Sequence, residues 1–398
     1  MSTRASVLSV SILLTLAPVM PASAQDPGPC SSSTGCSPTG PSGLFEEWQL
    51  LTKAVNLADP WFGGGDPDDG WYAQFGDMIT GAGWLVAGPG YRRHVMGHRA
   101  VVDASAALST NLYKAAQARI DWPHLAGDRL AAGAQATYQD ARHVDYFGRG
   151  PDSLRSNRID YRLENFDLVG YATIRATRWL TADGRVGRVD GPGHRLPSFV
   201  HGDVTIAADW LDQPGHPVRG GRYSATAAMY SDRAASAGSF RRYEVEGSQF
   251  IPLFTLNWVL ALHAWEVFSL PSAGNAVPFY LLPSIGGANT LRGYDDYRFH
   301  DNDTQSFNVE SRWALFAHVD AVAFADAGKV APDAGGLDFR HLRTSYGAGL
   351  RVHGATSTLG RVDVGHSREG WRIFFSMSDP FKRSTPASGR RSVVPFVP

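Results

Sequence analysis

Apolar and polar residues alternate along most of this chain after about residue 200. In residues 203–210, for example, Val204 and Ile206 alternate with Asp203 and Thr205. Successive side chains of an extended strand lie on opposite faces, so a period of two predicts a β-strand with one apolar and one polar face. The same pattern recurs in residues 222–229, 242–246, 307–315, 346–353 and 371–378.

The predicted strands follow one another with no helical pattern between them. Antiparallel neighbours can be joined by short turns, whereas parallel neighbours need long crossover connections. We therefore predict an all-β fold of antiparallel strands. Two architectures fit this pattern, a soluble β-sandwich or barrel and a transmembrane β-barrel.

The charged residues favour the second architecture. Arg, Glu and Asp recur on one face of the strands, opposite Tyr, Trp, Leu and Ala. A soluble barrel of this size would be filled with apolar side chains, whereas an outer-membrane barrel has an apolar exterior and a polar lumen. We predict a transmembrane antiparallel β-barrel over residues 71–381. Sixteen strands would allow about 19 residues for each strand with its connection, and 14 strands would also fit.

Composition narrows the class of protein and the choice of partner. The mean hydropathy of −0.20 excludes a bundle of transmembrane helices, but alternation hides the apolar exterior of a barrel from such an average. The 398 residues include 37 basic and 38 acidic side chains, a net charge of −1. This balance gives no sign of a nucleic-acid partner.

The first residues are typical of export from the cytoplasm. Arg4, an apolar run over residues 7–17 and the site Ala22-Ser23-Ala24 predict a secretory signal peptide over residues 1–24. An exported barrel protein is expected in the outer membrane of a Gram-negative bacterium.

Three further segments are predicted outside the barrel. Residues 25–43 read as a flexible Pro-, Gly- and Ser-rich linker, in which Cys30 and Cys36 could form a minor disulfide. Residues 44–70 would hold a short periplasmic helix and a loop, the helix either plugging the periplasmic mouth or lying at the membrane surface. Residues 382–398 form a basic tail.

The sequence gives no indication of enzyme chemistry. The chain contains no G-x-S-x-G elbow, P-loop, H-E-x-x-H or dinucleotide fingerprint. His94 and His98 are four residues apart, a spacing that joins two imidazoles on a helix but not on a strand and turn. Asp301, Asn302 and Asp303 fit a turn in an exposed loop better than a cation site. We predict no enzyme activity, no metal site and no cofactor.

A long connection over residues 271–305 contains the segment Gly286–Tyr294, with the sequence GGANTLRGY. This segment resembles the G-G-x-x-x-[VL]-R-G-[FY] signature of BamA/TamA-type outer-membrane assembly barrels, the bacterial surface-antigen superfamily. Further segments resemble family elements and stand in family order. Before the motif come Asp209–Asp212 and Pro217–Gly221, and after it come Asn308–Arg312, Phe324–Gly328 and Gly347–Arg351. The resemblance covers residues 203–381.

The resemblance implies a loop that folds into the lumen. In the family, the long sixth extracellular loop enters the barrel and its arginine meets an acidic residue on the following strands. Arg292 would then pair with Asp326, with Glu310 as a second partner. The loop residues implied in this latch are Gly287, Arg292, Gly293 and Tyr294, and their lumen partners are Asp326, Glu310, Arg312, Gly347, Gly349 and Arg351.

The glycines would serve two purposes. Gly287 and Gly293 suit a tight loop tip, and Gly347 and Gly349 would leave room for the loop against the wall. The connection would join strands 11 and 12, with strand one near residues 71–80 and Phe381 closing strand 16.

The resemblance also implies a function. Its members act in membrane-protein or lipid handling, and a weak pairing of first and last strands forms a lateral gate. Outer-membrane lipid would be one partner. The substrate would be an unfolded outer-membrane protein, a secreted protein or a lipid. Family members normally carry periplasmic POTRA domains, and residues 25–70 leave no room for one. The alternative is a passive channel or structural barrel in which the loop is a plug.

Overall fold

The computed structural model describes residues 43–46, 48–62, 69–75, 86–190, 198–213, 215–233, 238–354 and 358–381. The predicted signal peptide, Cys30, Cys36, nearly all of the linker and the basic tail lie outside these residues. Helix α1 (Gln49–Phe62) precedes the strands.

The strands run through the rest of the described chain. The first eleven are β1 (Gly70–Phe75), β2 (Val86–Val95), β3 (Ala100–Ser109), β4 (Lys114–Leu125), β5 (Leu130–Tyr146), β6 (Ile159–Arg175), β7 (Leu180–Asp190), β8 (Phe199–Asp209), β9 (Gly220–Asp232), β10 (Phe240–Pro252) and β11 (Trp258–Pro271). The others are β12 (Ser284–Ile285), β13 (Phe299–His300), β14 (Asp303–Phe316), β15 (Val319–Ala331), β16 (Arg343–His353), β17 (Thr358–Ser367) and β18 (Gly370–Ser376).

Sixteen of these strands form a single sheet in chain order, β1 to β11 followed by β14 to β18. Neighbours in this sheet are antiparallel, as in the ladders β10–β11, β11–β14 and β14–β15. Strands β12 and β13 form a separate two-stranded ladder inside the long connection. The predicted all-β barrel fold with 16 strands is confirmed, and the long connection joins the eleventh and twelfth strands of the sheet.

The apolar residues of the alternating pattern lie on the outer face of the sheet, and the polar residues lie on the inner face. On β8, Val204 and Ile206 are 57% and 56% exposed, whereas Asp203 and Thr205 are 7% and 3% exposed. Apolar side chains therefore cover the exterior and charged ones point into the lumen, as in a membrane barrel.

The connections differ at the two ends of the barrel. Residues 147–158 and 272–302 form long connections at one end, and residues 96–99 and 126–129 form short turns at the other. Because an even number of antiparallel strands returns the chain to its starting side, the start of β1 and the end of β18 also lie at the short-turn end. We call it the terminus end.

The last strand is shorter than the sequence predicts. Strand β18 ends at Ser376, and Phe381 does not close it. The backbone N–H of Phe381 donates to Asp379 Oδ1 (2.8 Å), and the Phe381 ring stacks on His263 of β11 with centroids 5.0 Å apart. The chain therefore turns into the lumen after β18, and the prediction was wrong because the aromatic residue packs inside the barrel.

The N-terminal helix lies within the predicted segment, residues 44–70, and is preceded by a short extended stretch. Leu44 and Phe45 donate backbone hydrogen bonds of 3.0 and 2.8 Å to the carbonyl oxygens of Ala314 and Leu315 at the end of β14. Helix α1 starts at Gln49 and contacts β1 and β17 at the terminus end. Among the described residues, no helix has both the length and the apolar character needed to cross a membrane.

Candidate functional site

The connection between β11 and β14, which we call the inner loop (residues 272–302), folds into the barrel. Leu291 and Ile285 are fully buried, and they belong to a hydrophobic cluster that also contains Trp265 and Val267 of β11 and Val330 of β15. Burying apolar side chains against the wall stabilises the loop inside the lumen rather than in solvent. The loop therefore has a small hydrophobic core of its own.

Arg292 is the charged centre of the inner loop, with 1% of its surface exposed. Its backbone N–H and its Nε donate to Asp326 Oδ2 at 3.0 and 3.1 Å, and its Nη2 donates to Asp326 Oδ1 at 2.7 Å. Its Nη1 donates to Glu310 Oε1. A guanidinium is a planar fork that suits such paired carboxylate contacts.

The electrostatics keep Arg292 charged. Burial alone would lower the pKa of its guanidinium, but the carboxylates of Asp326 and Glu310 raise that pKa above its usual value. An arginine is protonated at every physiological pH in any case, so a change of pH in that range does not alter the charge of Arg292.

Asp326 and Glu310 are held in place by neighbouring strands. Asp326 also accepts from Asn308 Nδ2 (2.9 Å) on β14 and from Ser345 Oγ (3.1 Å) on β16. These residues face one another in the sheet register, Asn308 opposite Asp326 and Asp326 opposite Ser345. The wall thus presents a preformed acceptor to the loop.

The ion pairs continue along the wall from Glu310. Arg312 Nε and Arg351 Nη2 donate to it at 2.8 and 2.9 Å, and Arg351 Nη1 donates to Asp363 at 2.5 Å. The network contains four arginines and four carboxylates: Arg292, Arg312, Arg351, Arg361, Glu310, Asp326, Asp363 and Asp379. Equal numbers of opposite charges limit the cost of burying them.

A row of residues across four strands shapes the seat of Arg292. Glu310, Phe324, Gly347 and Gly365 lie opposite one another on β14, β15, β16 and β17. The Arg292 guanidinium lies over the Phe324 ring, 3.7 Å from its centroid. The seat therefore combines a carboxylate, an aromatic face and two positions without side chains, an arrangement that suits a cation.

Gly365 makes the closest approach to the loop. A Cβ at Gly365 would lie 2.0 Å from the carbonyl oxygen of Arg292. Gly347 and Gly349 were predicted to leave room for the loop, but they face wall residues. A Cβ at Gly347 would meet the Phe324 ring at 2.6 Å, and one at Gly349 would meet Asp363 at 2.2 Å. These two glycines leave room for the partners of the latch, and Gly365 leaves room for the loop itself.

The other predicted loop residues are also buried. The Gly293 carbonyl oxygen accepts from Ser367 Oγ at 2.6 Å, and Tyr294 packs edge-on against Phe299. Gly287 has φ +94°, and a Cβ there would lie 2.0 Å from Asp296. Glycine is required at that position both for the backbone conformation and for space.

Several contacts that hold the loop are not apparent from the sequence. Arg361 Nη1 donates to the carbonyl oxygen of Ala288 (2.9 Å), and its Nη2 donates to Asn289 Oδ1 (2.6 Å). Arg298 Nη2 lies 2.9 Å from Glu369, in the turn between β17 and β18. Inward parity alone could have marked Arg361, but nothing in the sequence indicates which loop atoms it meets.

The weaker sequence candidates have ordinary surroundings. His94 Nδ1 lies 2.6 Å from Asp69, and its ring centroid lies 5.3 Å from that of His98. Asp301 and Asp303 are buried, so the prediction of an exposed loop there was wrong. The inner loop turns inward at these residues, and Arg149 contacts Asp301 at 2.6 Å.

These features define a class of protein, an antiparallel outer-membrane-type barrel whose long loop is held inside by a buried arginine. A family model described as the Omp85 superfamily domain matches residues 96–365. The chain belongs to the Omp85 superfamily.

A solved structure shows the same fold. A BamA from Haemophilus ducreyi that lacks POTRA domains 1–3 is 15% identical, with a TM-score of 0.60 over 78% of this chain and 71% of that one. CdiB from Acinetobacter baumannii is 12% identical, with a TM-score of 0.48 over 77% of this chain and 58% of that one. A search among curated proteins found no match.

Proposed function

We propose that this protein assists the insertion or translocation of proteins or lipids at the outer membrane of a Gram-negative bacterium. Membership of the Omp85 superfamily supports that role at the level of the family. The observation that carries the proposal for this chain is the seat of Arg292, where a loop residue contacts Asp326 and Glu310 at the wall beside the last strands.

The contacts of the inner loop connect its position to the edge of the sheet. Arg292 contacts β14 and β15, Arg361 of β17 holds Ala288 and Asn289, and Arg298 contacts Glu369 beside β18. Strand β18 is at one end of the strand order and has 7 residues, against 14 in β14. A docked loop would therefore stabilise the last strands, and a released loop would let β18 move.

In this mechanism the loop is a latch. Undocking would leave Asp326 as a buried carboxylate whose remaining partners, Asn308 and Ser345, are uncharged, whereas Glu310 would keep Arg312 and Arg351. Such a latch has two discrete states, which is what a gate at the seam between β1 and β18 requires.

Insertion into liposomes tests the proposal. The purified chain would be reconstituted, and folding of an outer-membrane barrel substrate would be followed by protease protection and heat-dependent electrophoretic mobility. We expect Arg292→Ala to lower the insertion rate, while Arg185→Ala, which removes a lumen pair with Asp203 on β7 and β8, should leave it near wild type. Equal rates with and without the wild-type protein would refute an insertion role.

Planar-bilayer conductance tests the alternative of a passive channel or structural barrel. If the loop is a latch, the wild-type protein should be mostly closed and Arg292→Ala should show frequent openings. A large steady pore that Arg292→Ala does not change would favour the passive channel.

A further inference from the structure

Charged side chains form a cluster on the outer face of the sheet, across β4, β5 and β6. Lys114 lies directly opposite Asp140, and Asp140 lies directly opposite Glu164, so these three side chains share one face. Ala136, which has the same parity as Asp140 on β5, lies opposite Leu168, and Leu168 is 54% exposed. The shared face is therefore the outer one. We call the five charged residues there the outer cluster: Lys114, Arg142, Arg162, Asp140 and Glu164.

The outer cluster lies just beyond the apolar band, toward the end of the barrel that holds the long connections. On β6 the outward residues from Phe166 to Ile174 are apolar or glycine, and Glu164 and Arg162 follow toward that end. Eight steps of about 3.3 Å along a strand tilted by about 40° span roughly 20 Å, most of an apolar band about 25 Å tall. The long connections of outer-membrane barrels are extracellular. In an outer membrane, the cluster would therefore lie at the headgroup level of the outer leaflet.

Asp140 positions the two guanidinium groups of the outer cluster. Arg162 Nε and Nη2 donate to Asp140 Oδ1 and Oδ2 at 2.7 and 3.1 Å, and Arg142 Nε is 3.8 Å from Asp140 Oδ2. The Asp140 side chain is 2% exposed, whereas those of Arg142 and Arg162 are 43% and 54% exposed. The carboxylate is therefore covered, and the guanidinium groups present the rest of their N–H donors to the surroundings.

The outer cluster has more donors than its own carboxylates use. Glu164 accepts from Tyr138 Oη at 2.8 Å and lies 3.1 Å from Arg162 Nη2, so both carboxylates already have partners. Lys114 is exposed, and within the described part of the chain it has no hydrogen bond or ion pair. An ammonium has three donors and a guanidinium five, and the three cations exceed the two carboxylates by one charge. This excess favours an anionic ligand.

An apolar surface continues from the outer cluster toward the terminus end. Ala118, Ala136 and Leu168 lie opposite one another on β4, β5 and β6, and Phe166, the next outward residue toward the cluster, is 45% exposed. Neighbouring strands are about 4.8 Å apart, so the strands that carry the cations of β4 and β6 are about 10 Å apart. A ligand that fits both surfaces is an amphiphile whose headgroup carries more than one anionic group.

We propose that the outer cluster and the apolar surface beside it bind a phosphorylated glycolipid with several acyl chains, the class to which lipid A belongs. Its phosphates accept hydrogen bonds from Lys114, Arg142 and Arg162, of which the two arginines offer the planar fork that suits a phosphate. Its acyl chains lie against the exposed side chains of Phe166 and Leu168. The site is on the opposite face of the sheet from the inner loop, so the proposal does not depend on the latch.

Lipid binding by the untagged chain in detergent tests this site. Native mass spectrometry of the delipidated wild-type protein should show one retained lipid A molecule. Removing the phosphates from lipid A should weaken binding at least about 10-fold, and the double variant Arg142→Ala/Arg162→Ala should show a similar loss, since both changes remove charge-assisted hydrogen bonds. Phosphatidylglycerol, with a single phosphate, should bind more weakly than lipid A.

The matched control is Arg241→Ala. Arg241 is an exposed cation near the same end of β10, but Met229 and Leu270 lie opposite it, so its loss should leave lipid A binding at the wild-type level. The comparison of lipid A with its dephosphorylated form uses wild-type protein only and does not depend on the folding of a variant. Equal binding of those two lipids, wild-type affinity in the double variant, or an equal loss in Arg241→Ala would overturn the proposal. Phosphatidylglycerol binding as tight as that of lipid A would overturn the assignment of a glycolipid.

Discussion

Replacing Asp326 with asparagine tests the latch with a minimal change of shape. The Asp326 carboxylate accepts five hydrogen bonds, three from Arg292, one from Asn308 and one from Ser345. Asparagine has a similar volume but no charge, and its NH₂ group would face some of these donors. We expect docking of the inner loop to weaken by about 3 to 5 kcal/mol, the usual cost of removing one partner of a buried ion pair.

Hydrogen exchange measured by mass spectrometry gives the readout. The lower limit of 3 kcal/mol corresponds to roughly a 100-fold increase in the opening constant of the loop, which should appear in peptides that cover residues 284–300. Adding Arg292→Met should cost much less in the Asp326→Asn background than in wild type, because the two residues share one interaction.

The matched control is Asp203→Asn, which breaks a lumen pair with Arg185 at 2.8 Å on β7 and β8. It should leave exchange of the inner loop unchanged. Wild-type exchange in the Asp326→Asn protein, or the same increase in the Asp203→Asn protein, would refute the latch.

Three further predictions concern the loop and the terminus end. Gly365→Ala should displace the loop, because the new Cβ would lie 2.0 Å from the Arg292 carbonyl oxygen. Gly360→Ala on the same strand should leave the loop in place, because a Cβ there meets nothing within 4 Å. The protease sensitivity of the loop in the two variants tests this difference. Burial lowers the pKa of His300 in the loop to about 3, so the docked loop holds this imidazole neutral. Above pH 6.5 the imidazole is neutral in the released loop too, and docking has its full strength. As the pH falls toward 3, protonation of His300 in the released loop increasingly weakens docking. The loss at pH 5 is about 2 kcal/mol. The opening constant of the loop, obtained from exchange rates divided by the intrinsic rate at each pH, should therefore rise on acidification in wild type and rise less in His300→Phe. Equal pH profiles of the opening constant would contradict this. Phe381→Ala should lower the unfolding temperature, at a cost of about 3 to 5 kcal/mol if its pocket does not collapse, and an unchanged melting curve would show that the buried ring does not stabilise the fold.

The sequence alone determined the faces of the strands. A period of two leaves no choice of side once one residue is assigned, so the inward positions of Glu310, Arg312 and Arg351 follow directly from the apolar residues between them. The motif that contains Arg292 and Gly293 also indicated, through its resemblance to the family signature, which connection folds inward. These features are local in the chain, and a local pattern can specify them.

Tertiary structure alone decided which inward residues meet. Asp326 lies in a run whose apolar residues obscure its parity, and only the register of β14, β15 and β16 places it between Asn308 and Ser345. Gly365 became part of the seat because it lies three strands from Glu310 in the same row.

The sequence alone also did not predict where the last strand ends or which residues contact one another across the lumen. Phe381 looked like the end of a strand, but its position depends on His263 of β11 and Phe250 of β10, which are five and six strands from β18 in the sheet order. His216 and His353 share no motif in the sequence, because only the fold of the sheet brings their rings together. Alternation records which face a side chain takes, whereas the curvature and register of 16 strands determine its neighbours.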